Sequence, residues 1–425
     1  MKIGSFLSNS VIYLASNLFN AIIMFALLPV LTRYLSPSEY GQVAIFQTFV
    51  AALGIFVGLN VAGATGRKYY DLYVDETILK NYISVCMQIL LGSTLVVVIL
   101  IFIFKKYLIF LLRIELSWMI YAVVVSASSV VVNIRLTQWQ TREKTAPYAL
   151  LQMTQSALNM TLAIALVIPF HLGATGRIVS QSITAVILLI ISLYLLNRDN
   201  LLGVLSWDSN SMREALGFGI PLVPHLAGGF LITSIDRFLI GAKLSLADAG
   251  IYMVATQLTL SMGLVFDAIN KAYVPWLFER LARDEMEEKR KIVKNTYIWF
   301  LVIILGNVSI FLLGPRVFIY VAGEKYKAGA GLIGWLALGQ GFGGMYMMVT
   351  NYLFFSKRTG LLSLVTIVSG AINLLLLLIL IPLKGTYGAA VAFSLSMGIE
   401  FLLTWWIAQR CHPMPWAFSR LFNTL

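Results

Sequence analysis

The sequence predicts an all-α integral membrane protein with twelve transmembrane helices in two six-helix bundles, and three observations lead to this fold class. First, 59% of the 425 residues are hydrophobic and only 12% are charged, whereas an ordinary soluble domain is about 45–50% apolar and about 25% charged. Second, apolar runs of about 20 residues, each long enough to cross the hydrocarbon core as a helix, recur along the whole chain. Third, the two halves of the chain repeat the same short motifs in the same order. A water-soluble globular protein is therefore excluded.

The spans lie between charged residues or Gly and Pro residues that interrupt the apolar runs. The first run, residues 11–31, is long enough to cross the membrane and is not followed by the small-residue cleavage site of a signal peptide, so we expect it to be retained. An even number of spans places both termini on the same side of the membrane. The predicted spans are residues 9–32, 42–66, 82–104, 117–140, 146–170, 175–196, 215–240, 249–275, 292–314, 329–355, 360–382 and 386–409.

The distribution of positive charge predicts the orientation. The formal net charge is +12, from 31 Lys and Arg against 19 Asp and Glu, and the cations lie in short gaps between apolar runs. This placement removes the nucleic-acid interpretation that such a charge invites in a soluble chain. If the termini face the cytoplasm, 18 cations lie on the cytoplasmic side, 11 on the other side and two within spans. The positive-inside rule therefore predicts cytoplasmic termini.

An internal repeat predicts the architecture. Residues 35–41 and 244–250 both read Leu-Ser-x-x-acid-x-Gly, and they open the second and eighth spans. Residues 168–176 and 381–388 both read Ile-Pro, then two or three residues, then Gly-x-x-Gly. Convergent loop chemistry is the alternative, because an acid suits the start of a helix and Gly allows a tight turn. A duplicated six-span unit predicts two bundles related by a pseudo-two-fold axis along the membrane normal, which is typical of transporters that work by alternating access.

The repeat also divides the chain. We predict an N-terminal lobe over residues 1–198, a cytoplasmic linker over 199–213, and a C-terminal lobe with a short cytoplasmic tail over 214–425. No loop is long enough for a soluble catalytic domain, and no phosphate-binding Gly-x-x-x-x-Gly-Lys-Ser/Thr motif occurs in the sequence. We therefore expect a secondary transporter rather than an enzyme, with no metal site and no cofactor.

The motifs resemble those of the polysaccharide flippases, the Wzx-type O-antigen flippases of the multidrug/oligosaccharidyl-lipid/polysaccharide (MOP) flippase superfamily. The resemblance rests on the acid-containing motif, on Ser-Ile-Asp-Arg-Phe-Leu-Ile-Gly at 234–241, on Gly-Ile-Tyr-Met-Val-Ala at 250–255, and on the last hairpin at 381–389. It implies a bacterial inner-membrane protein that moves an undecaprenyl-diphosphate-linked oligosaccharide from the cytoplasmic to the periplasmic leaflet, coupled to H⁺ or Na⁺. The implied partners are this lipid-linked oligosaccharide, membrane lipids and other polysaccharide assembly proteins, without nucleic acid.

Other functions stay open. A multidrug or organic-cation antiporter of the same superfamily would need a cavity dominated by acids and aromatic rings. A membrane polysaccharide polymerase or ligase would need a larger extracytoplasmic loop. Lipid II flippases of the superfamily have fourteen spans, and the chain lacks the Gly-x-x-x-Asp-Arg-x-Gly loop of major-facilitator transporters. The sequence therefore favours a polysaccharide flippase.

Cations inside or at the ends of spans are the candidates for binding the diphosphate. Arg135 and Lys271 lie within spans, where a charge costs about 2.5–3.5 kcal/mol on insertion scales and needs a reason. Arg67 and Arg237 lie nearer the span ends, where snorkelling to the headgroups is the alternative. Asn159 is a candidate for binding sugar hydroxyls, with hydrogen bonding between helices as the alternative. A dry seam between the bundles, with Arg135 and Lys271 held in ion pairs, would contradict a cationic central cavity.

Three titratable residues are candidates for ion coupling. Glu400 lies near the middle of span twelve and has no cation within one turn in sequence, so it could bind a proton or ligate sodium. Asp267 is spaced i, i+4 from Lys271, so a structural ion pair is the alternative. His225 lies near the middle of span seven and could titrate near neutral pH or form a structural hydrogen bond.

Span seven is rich in Gly and Pro, which predicts a bend. Pro221 and Pro224 lie three residues apart in this span, and each removes one helical hydrogen bond. Bent helices often serve as hinges in transporters that rock between two states. We therefore predict a hinge at these two prolines.

Overall fold

The structure is a computed structural model, and it describes residues 3–72, 75–203 and 207–417. Residues 204–206 of the predicted linker lie outside the described residues. The two terminal segments, 1–2 and 418–425, to which the predicted orientation refers, also lie outside them. Within the described ranges every regular element is helical, as the composition predicts.

The chain divides into two compact units, and the first comprises Met1–Ala227 and Ser245–Gly250. It holds the first six predicted spans and the beginning of the seventh. Its helices are α1 (Ile3–Tyr34), α2 (Pro37–Phe56), α3 (Val61–Leu72), α4 (Glu76–Leu112), α5 (Leu116–Thr141), α6 (Thr145–Val167), α7 (Gly173–Arg198), α8 (Ser209–Gly219) and the start of α9 (Val223–Thr233).

The second unit comprises Gly228–Leu244 and Ile251–Leu425. It holds the remainder of α9 and most of α11, together with the later helices of the chain. The other helices of the second unit are α10 (Ile235–Lys243), α11 (Leu246–Arg283), α12 (Met286–Ala322), α13 (Ile333–Phe355) and α14 (Thr359–Cys411). The lobe boundaries predicted around residues 199–213 stay a prediction.

Eleven helical segments among the described residues are long and apolar enough to cross a membrane, one of them Ser209–Thr233, which comprises α8, a short turn and α9. The helix α14 accounts for two crossings. It has 53 residues, which at 1.5 Å per residue is about 80 Å, far more than a hydrocarbon core of about 30 Å. The helix is interrupted at Gly385, where φ is 60° and ψ is −141°, a conformation open essentially to glycine alone. The prediction of twelve spans is therefore confirmed.

The prediction of one continuous helix over residues 42–66 is wrong. Between α2 and α3 the residues Gly58, Leu59 and Asn60 all have positive φ, of 77°, 44° and 59°. The backbone N–H of Gly58 donates to the hydroxyl of Ser93 at 2.8 Å, which replaces a helical hydrogen bond. Hydropathy did not show the break because the segment stays apolar through it. Irregular backbone at membrane depth is tolerated where it is buried in protein or lines a cavity.

The bend predicted in span seven is confirmed. A short 3-10 turn, Ile220–Leu222, separates α8 from α9. Pro221 lies in this turn and Pro224 lies in the first turn of α9, where the missing N–H has no helical partner to lose. A second interruption separates α9 from α10, so the predicted span 215–240 consists of separate helical pieces.

The repeated acid motif forms a helix cap in both copies. Ser36 Oγ accepts the Glu39 N–H at 3.3 Å, and the Glu39 carboxylate accepts the Ser36 N–H at 2.8 Å. Together these bonds form a capping box at the start of α2. In the second copy Ser245 Oγ accepts the Asp248 N–H at 3.1 Å and donates to the Asp248 carboxylate.

The glycine that ends each motif lies directly against backbone within the first unit. A Cβ atom on Gly41 would lie 1.7 Å from the carbonyl oxygen of Leu246, and one on Gly250 would lie 2.0 Å from that of Pro37. No side chain fits at either position. The two copies of the motif therefore pack against each other through their glycines.

Candidate functional site

Glu400 is a buried carboxylate in the second half of α14. It is 5% exposed, and the hydroxyl of Thr366, in the first half of α14, lies 3.3 Å from its Oε1. The same hydroxyl lies 3.1 Å from the backbone carbonyl of Leu362, one turn earlier. No Lys or Arg forms an ion pair with Glu400 in the part of the chain that the structure describes. Its one hydrogen-bonding neighbour is therefore a neutral hydroxyl, and the charge of an ionised Glu400 would be uncompensated.

Further hydroxyl groups lie on the same helices. Tyr346 of α13 lies near enough for its phenol to interact electrostatically with Glu400. The buried hydroxyls of Ser369 and Thr404, each within one helical turn of Thr366 or Glu400 in sequence, have no hydrogen-bond partner among the described residues. Buried polar atoms without partners are uncommon and call for a physical reason. The group, called the Glu400 cluster below, consists of Tyr346, Thr350, Thr366, Ser369, Glu400 and Thr404.

Arg135, predicted to bind the diphosphate, already contacts two other side chains. It is 1% exposed, its Nη2 donates to Oδ2 of Asp199 just after α7, and its guanidinium carbon lies 4.0 Å from the ring centre of Trp139. The pKa of Asp199 is lowered: partial burial opposes ionisation, but the hydrogen bond and the charge of Arg135 outweigh it. The expectation that Arg135 offers a free charge to a ligand is therefore corrected, because Asp199 already neutralises it.

Asp267 and Lys271 form an ion pair, which is the structural alternative to an ion-coupling role that their i, i+4 spacing suggested. Lys271 Nζ lies 2.6 Å from Asp267 Oδ2, and the two side chains are 62% and 45% exposed. Exposed i, i+4 pairs contribute only about 0.2–0.5 kcal/mol to a helix. Both charges therefore remain open to exchange for another partner, unlike that of Arg135.

The other two predicted cations differ in exposure. The side chain of Arg67 is 64% exposed and has a loose contact of 3.8 Å with Asp71, and its guanidinium lies over the ring of Phe218. Arg237 is buried, donates to the backbone carbonyl of Thr233, and lies 3.5 Å from Asp236. The snorkelling alternative is therefore wrong for Arg237, which is held inside the second unit.

Asn159 forms a hydrogen bond with a buried arginine that sequence reasoning did not single out as a site residue. Its Oδ1 accepts a hydrogen bond of 2.7 Å from Nη1 of Arg177, and Arg177 is buried near the start of α7. No carboxylate among the described residues forms an ion pair with Arg177. The Gly-x-x-Gly motif that precedes Arg177 marks the start of α7, and the predicted span 175–196 already contained this arginine.

His225 and the two prolines lie close together in sequence, at the junction of α8 and α9. The Nδ1 atom of His225 is buried and has no hydrogen-bond partner among the described residues. The structural hydrogen bond left open for His225 is therefore absent at Nδ1. The bend at Pro221 and Pro224 is present, and its use as a hinge stays a prediction.

The structure brings together one pair of the predicted site residues, Asp267 with Lys271. The others contact residues that sequence reasoning did not single out: Arg135 contacts Asp199, Asn159 contacts Arg177, and Glu400 contacts Thr366. These partners are up to 64 residues apart in the chain, and no local sequence pattern predicts that they meet.

Solved transporter structures have a similar fold. The structure of the lipid II flippase MurJ in an inward closed conformation matches with a TM-score of 0.74 and 13% identity, covering 95% of this chain and 87% of that one. An inward-facing multidrug resistance MATE transporter of the MOP superfamily matches with a TM-score of 0.63 and 16% identity, covering 97% of this chain and 99% of that one. At these identities the likeness shows the fold alone, that of a multi-pass membrane protein.

Sequence comparison agrees with the fold. Lsg locus putative protein 1 from Haemophilus influenzae is 25% identical over 368 residues, 85% of this chain and 88% of the relative. The family model described as polysaccharide biosynthesis protein matches residues 6–281, well over half of the chain. The resemblance drawn from the repeated motifs is thereby confirmed at the level of the family, and the chain belongs to the polysaccharide biosynthesis protein family.

Proposed function

We propose that this protein is a flippase that moves an undecaprenyl-diphosphate-linked oligosaccharide, an O-antigen or related repeat unit, from the cytoplasmic to the periplasmic leaflet of the bacterial inner membrane. The observation that carries the proposal is the combination of a polysaccharide biosynthesis family with a fold similar to that of a lipid-linked substrate flippase. The excess of cations in alternate loops supports cytoplasmic termini. The protein works without a cofactor, by alternating access.

Ion coupling is assigned to the Glu400 cluster. Burial of a carboxylate without a cationic partner favours its neutral form, because burial penalises the charge. Glu400 therefore holds a proton, or shares a Na⁺ ion with the surrounding hydroxyls, while the site is closed to water. It releases the ion when water reaches the cluster. Asp267 is exposed and paired with Lys271, which makes it the weaker choice for this role.

Arg67 is the cation best placed for the diphosphate. Its exposed charge has only a loose contact of 3.8 Å with Asp71, and exposed ion pairs of this kind are worth about 0–1 kcal/mol. A diphosphate can displace such a partner at small cost and accept two hydrogen bonds from the guanidinium. Lys271, with its similarly exposed pair, is the second choice. Arg135 and Arg237 are buried and paired with Asp199 and Asp236, and they are assigned to structure.

One observation favours a second function, export of organic cations. The aromatic rings of Phe342, Phe401 and Trp405 contact one another in the second unit, with Phe342 stacked on Phe401 at 6.3 Å, and Phe401 follows Glu400 directly in sequence. An acid next to aromatic faces is the chemistry that binds organic cations, and the fold is similar to that of a multidrug transporter. A role in drug export would leave the family's place in polysaccharide biosynthesis unexplained.

The experiment is deletion of the gene in its own host, followed by measurement of surface polysaccharide and of the lipid-linked repeat unit in each leaflet of spheroplast membranes. We expect loss of surface polysaccharide and accumulation of the lipid-linked unit on the cytoplasmic side, restored by the wild-type gene. Normal polysaccharide display in the deletion strain, combined with increased sensitivity to organic cations, would overturn the flippase proposal in favour of the antiporter.

A further inference from the structure

An apolar groove of about 900 Å³ runs along α4 within the first unit. The part of α4 that lines it extends from Gln88 to Leu108. Twenty residues of helix rise about 30 Å, which equals the full thickness of the hydrocarbon core. The groove is therefore long enough to follow both leaflets of a bilayer. Its floor is formed by the buried side chains of Phe49, Leu53, Ile89, Val97 and Ile101.

Two backbone features create this concave surface. Gly92 lines the groove, and a Cβ atom built on it would have no heavy atom within 4 Å, so the missing side chain leaves open space. The interruption between α2 and α3 forms part of the wall through Leu59, which has a positive φ. Irregular backbone in a membrane is found where it lines a cavity, and this interruption lines the groove.

Tyr107 brings a hydroxyl to one end of the groove, and the other polar side chains that α4 contributes already have partners. Of these two side chains, Ser93 accepts the Gly58 N–H at 2.8 Å and donates to the carbonyl of Leu90 at 3.1 Å. Gln88 already has a partner. Whatever lies along the groove is therefore apolar over this length.

One end of the groove continues into a recess that carries a positive charge. Trp207, Met212 and Leu216 line both the groove and a neighbouring recess of about 520 Å³, to which Arg213 also contributes. Arg213 is exposed, and the carboxylate beside it in sequence, Glu214, is paired with Lys68 at 2.7 Å. An apolar chain in the groove would thus have a cation at its end.

We propose that this groove holds the polyprenyl chain of the lipid-linked substrate, with Arg213 as an additional contact for its diphosphate. The inference rests on the proposed function, because that function supplies a lipid with one long chain and a strongly anionic head. A phospholipid acyl chain reaches only to the middle of the bilayer, whereas the groove continues for about 30 Å. The bilayer is itself apolar, so a chain gains little hydrophobic energy on entering. Selection of the polyprenyl chain over other lipids comes from van der Waals fit along the groove and from the charge at its end.

The test uses the purified protein in nanodiscs and a polyprenyl diphosphate that carries a photoreactive diazirine on its last isoprene unit. After illumination, mass spectrometry locates the labelled residues. We expect labels on α4 between residues 88 and 108, and competition by unlabelled polyprenyl diphosphate but not by phosphatidylglycerol at the same concentration. Labels elsewhere, no labels, or equal competition by phosphatidylglycerol would overturn the proposal, the last because the groove would then hold ordinary lipid.

A matched pair of variants gives a second test. Gly92→Phe places its Cβ in open space and its ring in the groove, and it should lower labelling of α4 at least tenfold. Gly306→Phe is the control, because a Cβ on Gly306 of α12 also has no heavy atom within 4 Å and this glycine does not line the groove. Arg213→Gln should weaken competition by the diphosphate several-fold. Equal labelling in Gly92→Phe and Gly306→Phe would contradict the assignment.

The groove assignment and the flippase function are tested by different outcomes, so either proposal can be wrong without the other. If Gly92→Phe exports polysaccharide normally in the deletion strain, the groove is not needed for transport and the flippase function stands. If the deletion strain itself displays polysaccharide normally, the flippase function is lost whatever the labelling shows.

Discussion

Two buried charges, one in each unit, have opposite surroundings. Arg135 in the first unit is paired with Asp199 and stacked on Trp139, whereas Glu400 in the second unit has only the hydroxyl of Thr366 within hydrogen-bond distance. Burying an unpaired ion costs several kcal/mol of folding free energy, and an oppositely charged partner offsets part of this cost. Burial alone therefore does not identify a functional charge. The missing partner separates Glu400, which we propose gains and loses an ion, from Arg135, whose charge Asp199 neutralises.

The largest expected effect follows from Glu400→Gln. Glutamine keeps the size of the neutral acid but cannot release a proton or ligate a cation through a carboxylate, so transport should fall at least tenfold. Because the native residue is neutral when the site is closed, the free energy of unfolding should change by less than about 1 kcal/mol. Polysaccharide display measures the first effect, and thermal unfolding in detergent measures the second.

The control for this variant is Glu279→Gln, at an exposed carboxylate of α11 that is paired with Arg283. It should leave transport unchanged at equal protein level in the membrane. Normal display by Glu400→Gln would discard the coupling role. A large loss of stability would show that Glu400 is charged in the folded protein.

Asp199→Asn should give the largest change in stability. It leaves Arg135 buried without a counter-charge, and breaking a buried pair costs about 3–5 kcal/mol. Because the Asp199 side chain is 23% exposed and asparagine keeps one oxygen for the guanidinium, we expect about 2–3 kcal/mol. Arg135→Gln should cost less, since it leaves the negative charge at a position that water can reach. Unfolding in detergent of both single variants and the double variant gives the coupling energy.

A double variant that is as unstable as the sum of the two single variants would show that the pair is not coupled. In that case the structural role assigned to Arg135 would be wrong, and its charge would again be available for a ligand.

The same pair predicts a dependence of stability on pH. The folded-state pKa of Asp199 is lowered, so its contribution is present above the unfolded pKa of about 3.9 and is lost as the pH falls through the folded pKa. Stability should therefore respond to Asp199 only in acid, below about pH 4, and not between pH 5 and 8. Unfolding curves against pH for the wild type and for Asp199→Asn should converge in acid. Parallel curves throughout would contradict the assignment.

The sequence predicts well what hydropathy and local chemistry determine. Apolar length gives the twelve spans, the prolines at 221 and 224 give the interruption of span seven, and Glu400 stands out because it lies in an apolar run without a neighbouring cation. What could not be predicted depends on residues distant in the chain. The Asp199 partner of Arg135 lies 64 residues away, and the break at Gly58 depends on a hydroxyl that α4 supplies.

The smallest predicted effect is the loss of a helix cap, which removes a neutral hydrogen bond instead of a charge. Its free energy is the reference against which the loss of a buried charge pair can be judged. Ser36→Ala removes the side-chain acceptor of a complete capping box at the start of α2, and loss of an N-cap typically costs about 1 kcal/mol. Ser245→Ala should cost somewhat less, since the bonds of the second copy run between Ser245 and Asp248 without the reciprocal bond from the Ser245 N–H. Thermal unfolding in detergent measures both. If either cap cost as much as Asp199→Asn, the loss in Asp199→Asn could not be attributed to an unpaired charge, and the contrast between Arg135 and Glu400 would lose its energetic basis.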